Sequence, residues 1–113
     1  MTHDEAVESS ITYIRDKAKE FGEMKAKRVY LEEYRKTKKA LLMQSAPATC
    51  KTVSDKESYA YAHADYQELL LGIEVAVQRE EELRLKIKAA ELKFEQWRTM
   101  QANNRAEFKQ YGN

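Results

Sequence analysis

The feature that most constrains this chain lies in its second half. Tyr66, Ile73, Glu80, Ile87, Phe94, Gln101 and Phe108 recur every seven residues, and Leu69, Ala76, Leu83, Ala90, Trp97, Asn104 and Tyr111 recur three residues later. Steps that alternate between three and four set one stripe of a helix against a neighbouring helix. A strand, whose side chains alternate with a period of two, has no use for them. The stripe is apolar except at Glu80, Gln101 and Asn104. It predicts a long helix over about residues 65 to 110 with one committed face.

The first part of the chain offers a counterpart. Val7, Ile11, Ile14, Ala18, Phe21 and Met24 recur at steps of three or four, and Leu31, Tyr34 and Leu41 continue the stripe less cleanly. This predicts an amphipathic helix over about residues 4 to 45, roughly 60 Å long at ~1.5 Å per residue. Gly22 is its internal breaker, at a cost of roughly 1 kcal/mol that weakens a helix without forbidding one. Either Thr2 or Asp4 would cap its start. Pro47 ends it, and residues 45–53 lack a helical period and read as a connector. Ser54 and Glu57 then fit a capping box for a short helix reaching about His63. Asp65 would cap the third element, or the second and third helices would merge with a kink.

Composition agrees. Ala, Glu, Lys, Leu and Arg make up 58 of 113 residues, the usage of long helices and coiled coils, and 3 Gly with 1 Pro are too few for a sheet with many tight turns. A formal net charge of +1 excludes a bulk acidic nucleic-acid mimic and a histone-like polycation. Charge is nevertheless patterned. Residues 1–24 are net acidic, residues 25–39 carry 7 basic against 2 acidic groups, and residues 65–80 are net acidic. Folding back at the connector sets opposite signs against each other, including the acidic start against Arg84, Lys86, Lys88, Lys93 and Arg98. The expected fold is therefore all-α: two long antiparallel helices, a helical hairpin or coiled coil, with a short helix at the bend, in one domain over residues 1–113. A two-helix hairpin buries one stripe per helix, so a homodimer or a protein partner is expected to complete it.

Cys50 is the single cysteine, so no intrachain disulfide forms, and a reducing cytoplasm is the expected compartment. The start of the chain is acidic and does not resemble a secretory signal. The longest purely apolar run, Leu69-Leu70-Leu71, is far short of a membrane span, so no membrane association is expected.

Few residues suggest chemistry, and no enzyme is expected. His3 belongs to a terminus expected to fray, and His63 beside Asp65 reads more readily as a cap-adjacent structural histidine than as a base. Cys50, His63 and Asp65 lack any recognised metal-ligand spacing, and Gly22, Gly72 and Gly112 never cluster into a phosphate loop. Glu80-Glu81-Glu82 reads as a solvated helix face with one acid on the stripe. No metal or cofactor is therefore expected. The main binding candidate is the basic stretch, where Lys25, Lys27, Arg28, Arg35, Lys36, Lys38 and Lys39 interleave with Tyr30 and Tyr34. Cations on phosphates and bases stacked on tyrosine rings would use these residue types, and the target would be single-stranded nucleic acid. Against this, the same cations would form a solvated face or pair with acids of the second helix. The second candidate is the group Tyr59, Tyr61, His63 and Tyr66 at the bend, which would meet a protein partner or else plug the end of the hairpin. Trp97 is expected in the core, against Phe21 or Ile14.

Two stretches carry a resemblance. Tyr59-Ala60-Tyr61-Ala62-His63-Ala64-Asp65-Tyr66 with Leu69, and Lys88-Ala89-Ala90-Glu91-Leu92-Lys93-Phe94-Glu95-Gln96-Trp97-Arg98-Thr99 through Asn104-Arg105-Ala106, resemble small helical proteins of tailed bacteriophages and prophages. Together they span the part of the chain after the connector. The resemblance implies neighbours in phage recombination, namely strand-annealing and single-strand-binding proteins, and carries no catalytic signature. The expected function is a non-enzymatic phage accessory protein that acts by binding in DNA recombination or replication, in the cytoplasm of the bacterial host. The alternatives are a counter-defence inhibitor that binds a host nuclease or CRISPR complex, and a structural coiled-coil adaptor.

Overall fold

A computed structural model describes residues 2–111, the side chain of residue 111 excepted. It contains three α-helices and, among the described residues, no strand: α1 (His3–Gln44), α2 (Val53–Ala62) and α3 (Ala64–Tyr111). The chain is all-helical, as its spacing and composition predict.

The boundaries of the helices up to the start of α3 have identifiable chemical causes. At the start of α1 the Glu5 N–H donates to Thr2 Oγ1 at 3.2 Å, and the Thr2 N–H donates to Glu5 Oε2 at 3.1 Å. This reciprocal capping box resolves the choice between Thr2 and Asp4 in favour of Thr2. α1 runs through Gly22 without a break. At its end the Ser45 N–H reaches the carbonyls of Leu41 and Leu42, and Ser45 Oγ donates to the Leu42 carbonyl at 2.9 Å. The Leu42 carbonyl at the helix end thus accepts from both the backbone and the side chain of Ser45. Pro47 follows, and its carbonyl accepts from the Cys50 N–H at 2.9 Å in a tight turn.

The cap of α2 differs from the expected one. Thr52, not Ser54, is the N-cap, with extended backbone, and Asp55, not Glu57, closes the box: its N–H donates to Thr52 Oγ1 at 3.0 Å and its Oδ2 accepts from the Thr52 N–H at 3.3 Å. Ser54 falls inside the first turn. The shorter carboxylate of Asp55 does the work more often given to Glu or Gln, which is why the Ser54-x-x-Glu57 spacing looked stronger. Asp65 is not the cap of α3 either. His63 has extended backbone, ends α2 through its N–H to the Ala60 carbonyl, and begins α3 through its carbonyl, which accepts from Gln67 at 3.1 Å. Its Nδ1 accepts the Asp65 N–H at 3.0 Å, the role an Asx or Ser side chain usually plays. The bend is therefore a single residue, and α2 and α3 do not merge.

Contacts group the described residues into two compact units, each drawing on both long helices. In the unit formed by residues 22–81, Leu42, Ala60 and Tyr66 make a buried cluster against which Met43 and Leu70 pack. Ala60 is fully buried, and Ala76 is buried further along α3. In the unit formed by residues 1–21 and 82–113, Leu83 is fully buried and Ile87, Ala90, Phe94 and Trp97 are half-buried.

Burial follows the α3 heptads from Tyr66 to Gln101 and then fails. Asn104 and Phe108 are exposed, Phe108 at 78%, and the side chain of Tyr111 lies outside the described residues. The α1 stripe needs correction. Ile11, Ala18 and Leu41 are exposed, and the covered positions on the seam are Val7, Ser10, Ile14, Lys17, Phe21, Met24, Arg28, Leu31, Lys38 and Leu42, with Ala6, Glu20, Glu32, Tyr34, Lys39 and Met43 half-buried beside them. The seam positions follow strict steps of three and four, broken only where exposed Arg35 should sit and Tyr34 takes its place. Four of the ten are polar. A search for apolar residues therefore slides to the neighbouring Ile11, Ala18 and Leu41, while the stems of Lys17 and Lys38 cover the seam. Trp97 also differs in its neighbours. It lies on Phe94, with ring centres 5.9 Å apart, and on His3, 4.6 Å apart. His3, expected to fray, is the first residue of α1 and rests on an indole.

The α3 register makes opposite forecasts for two neighbouring leucines. Leu83→Ala should cost about 2–5 kcal/mol, as buried Leu truncations do. Leu85→Ala, at a site 51% exposed, should change stability by no more than about 0.5 kcal/mol. Thermal melts of the two variants side by side check this, and equal losses would reject the register.

Candidate functional site

The basic stretch divides into cations held by partners and cations left to solvent. Arg28 is held most firmly. Its Nε and Nη2 both donate to the Glu80 carboxylate, the second at 3.3 Å, and its Nη1 donates to Glu32 at 3.0 Å. A guanidinium fork gripping one carboxylate is the strong form of an ion pair. Hydrogen bonds donated to Glu80 and then to Glu32 hold Arg28 above the ordinary arginine value despite the opposing effect of burial. With side chains 24% and 14% exposed, this pair occupies the seam rather than the rim. Glu80, the acid on the α3 stripe, thereby finds its partner in α1.

Lys38 and Lys39 are also engaged. Lys38 Nζ lies 3.9 Å from Asp65, and Lys39 Nζ lies 3.6 Å from Glu57 and 4.6 Å above the ring of Tyr61. Hydrogen bonding to Tyr61, with the charge of Glu57 assisting, raises the Lys39 pKa against the effect of burial. These three cations anchor α1 to α2 and α3, which is the paired-face alternative to nucleic-acid contact. Lys25, Lys27, Arg35 and Lys36 are exposed. They are spread around the helix, but Lys27, Tyr30 and Tyr34 stand at i, i+3 and i+7 and share one face. The Tyr30 and Tyr34 rings lie nearly parallel, 10° apart in plane with centres 6.1 Å apart, and Tyr30 is 65% exposed.

The tyrosines of the bend part company in the same way. Tyr66 is 7% exposed and belongs to the core with Leu42 and Ala60, so its place in a partner-facing set is corrected to a packing role. Tyr61 is 43% exposed, meets Tyr66 edge-on at 5.3 Å and carries the Lys39 ammonium on its face. Tyr59 and His63 are half-buried and meet edge to face at 5.6 Å. The Gln67 side-chain amide donates to the Tyr61 carbonyl at 2.7 Å, closing the bend. The buried and the exposed tyrosines of the bend are thus different residues: Tyr66 closes the core, while Tyr61 is exposed and carries a cation on its ring.

Among the described residues no three His, Cys, Asp or Glu side chains form a group able to hold a metal ion, and Cys50, His63 and Asp65 form no such group. No helix is long and apolar enough to cross a membrane. The α1 seam residues Ser10, Lys17 and Arg28 escaped an apolar search, and only insistence on alternating steps of three and four would have found them. No protein family, curated protein or solved structure matches this chain.

The raised Lys39 value has a definite sign. The charged form gains partners on folding, so its contribution is complete below the ordinary lysine value, about 10.4, and fades as the pH rises through the higher folded value. Melting temperatures recorded from neutral pH upward should fall through this window, and Lys39→Met should flatten the part of the fall that Lys39 causes. An unaltered alkaline profile in Lys39→Met would remove Lys39 from the account of the bend.

Proposed function

We propose that this chain is a non-enzymatic accessory protein that acts by binding, in phage DNA recombination or replication within the bacterial host cytoplasm, and that its two long helices fold back as an antiparallel hairpin. The hairpin is supported within the unit of residues 22–81, where Arg28 meets Glu80 and Lys38 meets Asp65, so that α1 numbers rise as α3 numbers fall. The phage setting is supported by the resemblance of residues 59–69 and 88–106.

The observation that carries the binding reading is the strip Lys27, Tyr30 and Tyr34. Two near-parallel tyrosine rings present faces on which unpaired bases stack, and a lysine one turn away meets phosphate. Stacking tolerates any base, so single-stranded nucleic acid without strong sequence preference is the ligand this geometry fits. The held cations Arg28, Lys38 and Lys39 belong to the scaffold, and Lys25, Arg35 and Lys36 add a diffuse positive field. The second reading is an inhibitor that docks on a host nuclease or CRISPR complex. It is favoured by the exposed Tyr61 face at the bend, an anchor of the kind protein interfaces use.

Fluorescence anisotropy with a labelled oligodeoxythymidine tests the first reading. Binding should weaken linearly in log–log form with salt, and Lys27→Ala should reduce the slope by about 0.7, the value of one single-strand phosphate contact. Tyr30→Ala with Tyr34→Ala should cost about 1–3 kcal/mol for each base stacked. Absence of binding at low salt would reject this reading and leave the bend as the functional surface.

A further inference from the structure

The unit formed by residues 1–21 and 82–113 holds an open groove that the seam does not fill. Its walls are α1 from Ala6 to Tyr13 and α3 from Lys86 to Trp97, and it encloses about 610 Å³. Tyr13, Phe94 and Trp97 give it aromatic surface, and Ala6, Ala89 and Ala90 leave room for another backbone to approach closely. Ser10 does not make it polar, because its hydroxyl donates to the Ala6 carbonyl at 3.0 Å within the helix.

The two sides of the groove are flanked by opposite charge. Lys86 and Lys93 line the α3 wall and are exposed. On the α1 side, Ser9 and Tyr13 are shared with a shallow depression lined by Glu8 and Asp16. A groove with lysines on its α3 wall and acids flanking its uncharged α1 wall is complementary to itself at its edges. A two-fold axis running along the groove sets the α1 wall of each copy against the α3 wall of the other, and every acid–base contact then occurs twice.

We propose that this groove is the interface of a homodimer, a four-helix contact in which a second copy of this chain covers Tyr13, Phe94 and Trp97. Small residues set the close approach, aromatic surface supplies the apolar area, and Glu8 and Asp16 against Lys86 and Lys93 fix the orientation. This surface is distinct from the Lys27–Tyr30–Tyr34 strip, so nucleic-acid binding and dimerisation fail separately.

Sedimentation velocity on the full chain, with circular dichroism as the control for folding, tests the proposal. The wild-type protein should sediment as a dimer. Ala89→Arg, which places a long charged side chain in the groove from an exposed position, should yield a monomer of unchanged helix content. Lys86→Glu with Lys93→Glu should weaken the dimer by at least about tenfold in Kd, equivalent to 1.4 kcal/mol, and adding Glu8→Lys with Asp16→Lys should restore it. The charge exchange decides the matter even if Ala89→Arg disturbs folding. A wild-type monomer at the highest soluble concentration would overturn the proposal. So would a dimer that persists in Ala89→Arg or is indifferent to both charge exchanges.

Discussion

A half-buried ion pair between Arg28 and Glu80 governs how α1 meets α3 in the unit of residues 22–81. Large apolar side chains are scarce in this chain, and the α1 seam gives four of its covered positions to Ser10, Lys17, Arg28 and Lys38. Apolar contact alone therefore discriminates poorly between neighbouring registers, since a shift of one heptad would still set aliphatic stems on aliphatic faces. A guanidinium fork on a carboxylate is satisfied in one register. In any other, a charge on the seam would be left without a partner. Taking both charges out of water has its own cost, so the pair selects an arrangement more than it adds stability. The surrounding contacts at Lys38, Lys39 and Asp65 are more exposed and weaker, and they follow from the arrangement the seam pair has fixed.

The helices were legible because their signals are redundant. In α3 the heptad positions from Tyr66 to Gln101 are mostly large or small apolar residues, and each repeat confirms the last. Legibility fails where polar side chains do structural work. Arg28 read as a nucleic-acid contact because a basic residue among lysines and tyrosines looks like phosphate-binding surface. Its true neighbour, Glu80, is 52 residues away in sequence. Thr52 gives a weak cap signal because Asp55 is an unusual closing partner, and His63 gives one because imidazole is seldom a helix cap. Tyr66 was grouped with Tyr59 and Tyr61 by proximity along the chain, whereas its heptad position already placed it on the seam. The groove was invisible as well. Ala6, Tyr13, Ala89 and Ala90 are unremarkable in sequence, and their meaning comes only from lining one concavity.

The division of labour among the cations is the main functional consequence. Residues 25–39 look like one basic patch, but Arg28, Lys38 and Lys39 are held by Glu80, Asp65 and Glu57. Once these are set aside, what remains exposed on one face is two near-parallel tyrosine rings with Lys27 beside them, the surface on which the proposed binding rests. The same reasoning separates the bend tyrosines. Tyr66 closes the core, and Tyr61 displays a face over which Lys39 is poised.

The central claim, that the Arg28–Glu80 pair fixes the register of α1 on α3, is tested most directly by a double-mutant cycle. Arg28→Met and Glu80→Met would be made singly and together, with thermal stability measured for all four proteins. If the pair acts as described, Arg28→Met strands Glu80 on the seam, Glu80→Met leaves Arg28 with Glu32 alone, and each lowers the melting temperature. The double change removes both charges and should be less damaging than the two single effects combined. Additive losses, or single variants as stable as the wild type, would contradict the account.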